Sequence, residues 1–65
     1  MKSQYDVRAL VQDLFEDMCN EQPDHFLIVH KGVEKTVTEW CEYFGGVPDG
    51  VSNHNFLMEM LNEKV

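Results

Sequence analysis

The sequence is poor in positive charge. Of its 65 residues only five are Lys or Arg, at positions 2, 8, 31, 35 and 64, against twelve Asp and Glu, for a formal net charge of -7. Residues 9–30 hold five acids and no Lys or Arg, and residues 36–63 hold five more acids and again none. A nucleic-acid binder needs a basic footprint to displace counterions from phosphate. This chain has none, so its field repels DNA and attracts a basic surface. Acidity of this kind also serves solubility without any partner.

Cysteine is scarce too. Cys19 and Cys41 form no C-x-x-C pair and no disulfide framework. Cys19, His25, His30, Cys41 and His54 are spread without the pairing that zinc sites use, so neither a metal nor a cofactor is expected. No apolar run approaches the ~18 residues of a membrane span. The first residues, Met1-Lys2-Ser3-Gln4-Tyr5-Asp6, lack the apolar stretch of a signal peptide. These absences point to a cytoplasmic protein with reduced thiols. Ser3 and Ser52 have no nucleophile context. Gly45-Gly46-Val47-Pro48-Asp49-Gly50 reads as a turn rather than a phosphate loop. Nothing marks an enzyme.

What remains is the composition of a folded domain, 43% hydrophobic and 11% aromatic, and one domain spans 1–65. A domain this short buries only about 60% of its unfolded surface. Small scaffolds usually need a staple, and without disulfides or metal the remaining one is oligomerisation.

Along the chain, Val7, Leu10, Val11, Leu14, Phe15 and Met18 follow helical spacing. The same region also reads as a strand, with Tyr5, Val7, Ala9 and Val11 on one face. Pro23-Asp24 breaks the pattern, and His25-Phe26-Leu27-Ile28-Val29-His30 is rich in strand formers and ends at Lys31-Gly32. The clearest helix runs over 36–44. Thr36 and Glu39 form a capping-box pattern, and Gly45 stands where a C-terminal glycine is favoured. Val37, Trp40, Cys41 and Phe44 share one face of it; Glu39, Glu42 and Tyr43 share the other. Residues 45–55 read as a loop. Phe56-Leu57-Met58-Glu59-Met60-Leu61 has weak capping options in Ser52 and Asn53 and is expected to be a strand.

Four pieces, in order, carry a family resemblance. They are Tyr5-Asp6-Val7 with Leu10 and Gln12-Asp13; His30-Lys31-Gly32; Val37-Thr38-Glu39-Trp40 with Phe44-Gly45; and Lys64-Val65. With this length and acidity, the chain resembles the small dimeric uracil-DNA glycosylase inhibitors of Bacillus phages. The stretch between Gln12 and His30 is longer than in that family. Cys41 stands where the family carries an acid, and Trp40 replaces a smaller aromatic.

The resemblance implies an α+β fold: a three-stranded antiparallel sheet with one helix at about 36–44, forming a homodimer. It makes residues 4–12 a strand paired antiparallel with 25–31, and leaves helical turns for 13–20. It also implies a function. Such proteins imitate the shape and charge of DNA and occupy the cleft of the host glycosylase, gripping an apolar side chain that the enzyme wedges into DNA. The partner-binding residues expected here are Trp40 and Phe44, with Glu39, Glu42, Cys41 and Tyr43 around them, acting in the bacterial host cytoplasm. Asp13, Glu16, Asp17, Glu21 and Asp24 would add to the field that steers association.

Plainer readings stand beside this one. Aromatics four apart on a helix are often simply core. A decoy of this kind also suits a restriction enzyme or another host DNA-binding protein. Thr36-x-x-Glu39-Trp40 with Gly45 further resembles the first helix of a helix-turn-helix regulator, although Val47-Pro48-Asp49-Gly50 follows and no basic residue appears before Lys64.

Overall fold

In the computed structural model, which describes residues 2–61, the first strand is short and is ended by a cap. β1 spans Ser3–Asp6. A carboxylate oxygen of Asp6 accepts the backbone N–H of Arg8 at 2.9 Å and turns the chain into a 3-10 helix, Val7–Val11. Gln12 is extended, with φ -80 and ψ 138, and α1 then runs over Asp13–Glu21 with Asp13 and Glu16 in its first turn. Acids there complement the positive end of the helix dipole. A continuous strand over 4–12 therefore does not form. The expected turns within 13–20 are a nine-residue helix. The single stripe from Val7 to Met18 does not form either. Extended Gln12 resets the helical phase, so Leu10 and Phe15 are buried while Val11 and Leu14 face outward.

β2 (Phe26–His30) and β3 (Val33–Thr36) form a hairpin. Lys31 and Gly32 join them with φ of 53 and 80, the left-handed pair that suits a tight turn between twisted strands. β1 lies on the other side of β2 and pairs with it in parallel, with Ser3 opposite Phe26. The sheet is mixed, which corrects the all-antiparallel expectation. Two helical segments stand between β1 and β2, and such a crossover returns the chain to the end from which it started. The third strand is β3 rather than residues 56–61.

α2 spans Val37–Tyr43 and has the expected ends. Thr36 Oγ1 accepts the N–H of Glu39 at 3.2 Å, and the Glu39 carboxylate accepts the N–H of Thr36 at 3.0 Å. At the other end Gly45 N–H donates to the Glu42 carbonyl at 3.0 Å and Gly46 N–H to the Cys41 carbonyl at 2.9 Å. Gly45 has φ +97, which completes a Schellman motif.

α3 spans Asn53–Leu61, where a strand was expected. Ser52 is a better cap than it looks. Its Oγ accepts the N–H of Asn55 at 3.2 Å and its carbonyl that of Phe56 at 2.9 Å. Phe56, Leu57 and Leu61 then point inward together. Among the described residues there are thus three α-helices rather than one. The Lys64-Val65 piece of the resemblance lies outside the described residues.

Phe26 and Ile28 are buried, while the alternating Leu27 and Val29 are half-buried on the opposite face of the sheet. Tyr5, Phe15 and Phe26 meet edge to face with centroids 4.9, 5.7 and 5.8 Å apart, tying β1, α1 and β2 together. Leu10, Cys19, Val37, Trp40, Cys41, Phe56, Leu57 and Leu61 fill the rest of the core. Among the described residues, no helix is long and apolar enough to cross a membrane.

Candidate functional site

The β2–β3 turn and α2 face each other across a groove of about 260 Å³. The hairpin contributes His30, Lys31 and Val33. The end of α2 contributes Trp40, Tyr43 and Phe44, and α3 contributes Met60. This volume falls just below the ~300–1,000 Å³ of small-ligand pockets, and leaves room for an inserted apolar side chain.

Trp40 forms the floor. It is only 3% exposed, and its Nε1–H donates to the Ile28 carbonyl at 2.9 Å. Phe44 stacks on it at 6.1 Å and 18°. Tyr43 and His30 meet it edge-on at 5.7 and 6.1 Å. Tyr43 is the exposed member, at 66%, so it offers the ring face that a partner meets first. The Lys35 ammonium lies over both the Trp40 and Tyr43 rings, 5.6 and 5.4 Å from their centroids. That placement is a cation–π contact and fixes the wall of the groove.

The other expected partner-binding residues are spread around α2. Cys41 is 6% exposed and packs into the core. Burial is the main reason its thiol pKa is raised, with the Glu42 carboxylate adding to it. Glu39 is exposed, but its carboxylate is engaged in the capping box. Glu42 is exposed on the far side of α2 from the core. The groove therefore joins Trp40, Tyr43 and Phe44, and it leaves Glu39, Glu42 and Cys41 outside its lining. The acids Asp13, Glu16, Asp17, Glu21 and Asp24 are all exposed and belong to α1 and the segment after it.

Sequence reasoning missed His30, Lys31, Val33 and Met60 as groove residues, and Lys35 over its aromatic rings. The signal was the two-residue turn: a hairpin closing at Lys31-Gly32 brings β3 beside β2, directly ahead of α2. Among the described residues, no group of three or more His, Cys, Asp or Glu side chains is placed to hold a metal ion. No family model, curated protein or solved structure matches this chain, and the groove with its charged borders is what a function has to be argued from.

Proposed function

We propose that this chain is a protein-binding decoy whose groove at α2 receives an apolar side chain of its partner, and that the partner is uracil-DNA glycosylase. The observation that carries the binding role is the groove itself. It is an open groove of about 260 Å³, has an aromatic floor held by the Trp40–Ile28 hydrogen bond, and has an exposed Tyr43 at its mouth. Aromatic anchors around a desolvated pocket are the usual centres of protein interfaces.

The identity of the partner rests on the ordered sequence pieces, above all Val37-Thr38-Glu39-Trp40 with Phe44-Gly45. The net charge of -7 supports a partner with a basic cleft. The mixed sheet departs from the family pattern, so the reading leans on α2 and its groove rather than on the sheet. Glu42 adds exposed negative charge on α2 outside the groove, while Glu39 stiffens the helix that carries it.

Stoichiometric inhibition of uracil excision is the test. A saturating amount of this protein that leaves bacterial glycosylase fully active removes the named partner. A restriction enzyme or another host DNA-binding protein then takes its place in the same assay format. A helix-turn-helix regulator is the weaker reading. α3 does follow α2, but nine residues later, and it carries no Lys or Arg to meet phosphate.

A further inference from the structure

The groove is bordered by positive charge in a chain that has little of it. Lys31 lines it, Lys35 lies over its aromatic wall, and His30 closes one side. Among the described residues neither lysine joins an ion pair; the ion pair there links Arg8 to Asp6. An apolar pocket with ammonium groups at its rim that no described carboxylate offsets fits an apolar side chain flanked by carboxylates.

The chain itself presents such a side chain. Leu14, in the first turn of α1, is 64% exposed, and Val11, the last residue of the 3-10 helix, is 65% exposed. They are the two most exposed aliphatic side chains among the large hydrophobics described. Both were turned outward by the phase break at Gln12. Asp13 precedes Leu14 and Asp17 lies one turn beyond it on the same side of the helix, and both are exposed.

We propose that the groove receives Leu14 from a second copy of this chain, with Asp13 and Asp17 of that copy set against Lys31 and Lys35. The contact joins two unlike surfaces, in contrast to a dimer in which both copies present the same helix face. Its closure is either reciprocal, giving a pair, or sequential, giving longer assemblies. The charge of -7 on each copy does not prevent it, because fields are screened beyond ~8 Å at about 0.15 M salt while the facing charges meet at contact. Self-association occupies the groove, so it competes with any partner that inserts a side chain there. The inference needs the groove and Leu14 only, and holds whichever enzyme is the partner.

Sedimentation of the full 65-residue chain at physiological salt, from micromolar to millimolar concentration and with no glycosylase present, reads this directly. The expected weight-average mass rises from 7.6 kDa to at least twice that. Leu14→Ser weakens association by about tenfold or more, and Tyr43→Ala does the same. Both positions are exposed, so circular dichroism should report an unchanged fold. The decisive arm mixes the two variants. Leu14→Ser keeps an intact groove and Tyr43→Ala keeps an intact Leu14, so the mixture forms one-to-one pairs that neither variant forms alone. A wild-type chain that stays monomeric throughout overturns the proposal. So does a Leu14→Ser variant that associates like wild type, or a mixture with no pairing at millimolar concentration.

Discussion

The indole N–H of Trp40 donates to the carbonyl oxygen of Ile28 at 2.9 Å, and this bond ties α2 to the central strand. Trp40 is thereby the floor of the groove and a member of the core at once. Its substitution tests folding before it tests binding. Trp40→Phe keeps the aromatic contact and loses the bond, while the Ile28 carbonyl still faces Lys35 across the β2–β3 pairing. A loss of about 0.5–1.5 kcal/mol in unfolding free energy is expected. Urea titration followed by far-UV circular dichroism checks it, and a variant as stable as wild type would show that the bond contributes little.

Tyr43 separates the two roles that Trp40 combines. At 66% exposure it contributes little to the core. Tyr43→Ala should therefore leave the unfolding midpoint nearly unchanged and weaken the glycosylase complex by about 2 kcal/mol, as a hot-spot truncation does. Calorimetric titration against the enzyme measures this. Full affinity in the variant would place the partner contact elsewhere.

The ends of α2 carry a measurable share of stability. Thr36→Ala removes the hydroxyl that accepts the Glu39 N–H, and a cost of about 1 kcal/mol is expected. Gly45→Ala forces an L side chain to φ +97 with no heavy atom within 4 Å of the added carbon. Its cost is therefore backbone strain alone, about 1–2 kcal/mol. If Gly45→Ala proved neutral in thermal unfolding, the left-handed cap would be at fault.

Two groups contribute to the pH dependence of stability. The backbone N–H of Arg8, then its side chain, hold the Asp6 carboxyl below its ordinary value of 3.8. Its contribution is complete above 3.8 and is lost as pH falls through the lower folded value. Asp6→Asn should flatten the acid limb of the stability curve. Burial raises the Cys19 thiol from 9.0 to about 12, with the nearby Cys41 adding to it. A raised value favours the folded state below 9.0, and that advantage disappears as pH climbs from 9.0 towards about 12. Thiol-disulfide reagents at pH 8 should accordingly react slowly with the native chain and fast with the denatured one. Rapid native labelling at Cys19 would contradict its burial.

The elements legible in the sequence were those with local chemistry. α2 could be read from Thr36, Glu39 and Gly45 because a capping box and a left-handed glycine act within a few residues. β2 could be read from its run of strand formers. The helical spacing after Val7 was also present, but one extended residue, Gln12, split it into two helices with different faces. Spacing alone carries no mark of such a break. The end of the chain was misread because Ser52 looked like a weak cap for so apolar a segment, and tertiary burial of Phe56, Leu57 and Leu61 decided for helix. The groove was half legible. Trp40, Tyr43 and Phe44 stood out as a cluster, whereas Lys31 and Met60 reach it only through the sheet and α3.

The parallel pairing of β1 with β2 also shapes how this chain is made. β2, β3 and α2 are contiguous, and their hairpin closes over two residues. β1 must wait for its partner strand across the whole 3-10 helix and α1, a closure with a larger entropic cost. During synthesis, then, β1 leaves the ribosome ahead of β2 and lacks this partner until β2 has followed it out. The Asp6 cap and the brevity of Ser3–Asp6 keep that waiting edge only four residues long, a poor template for pairing with the nascent chains around it.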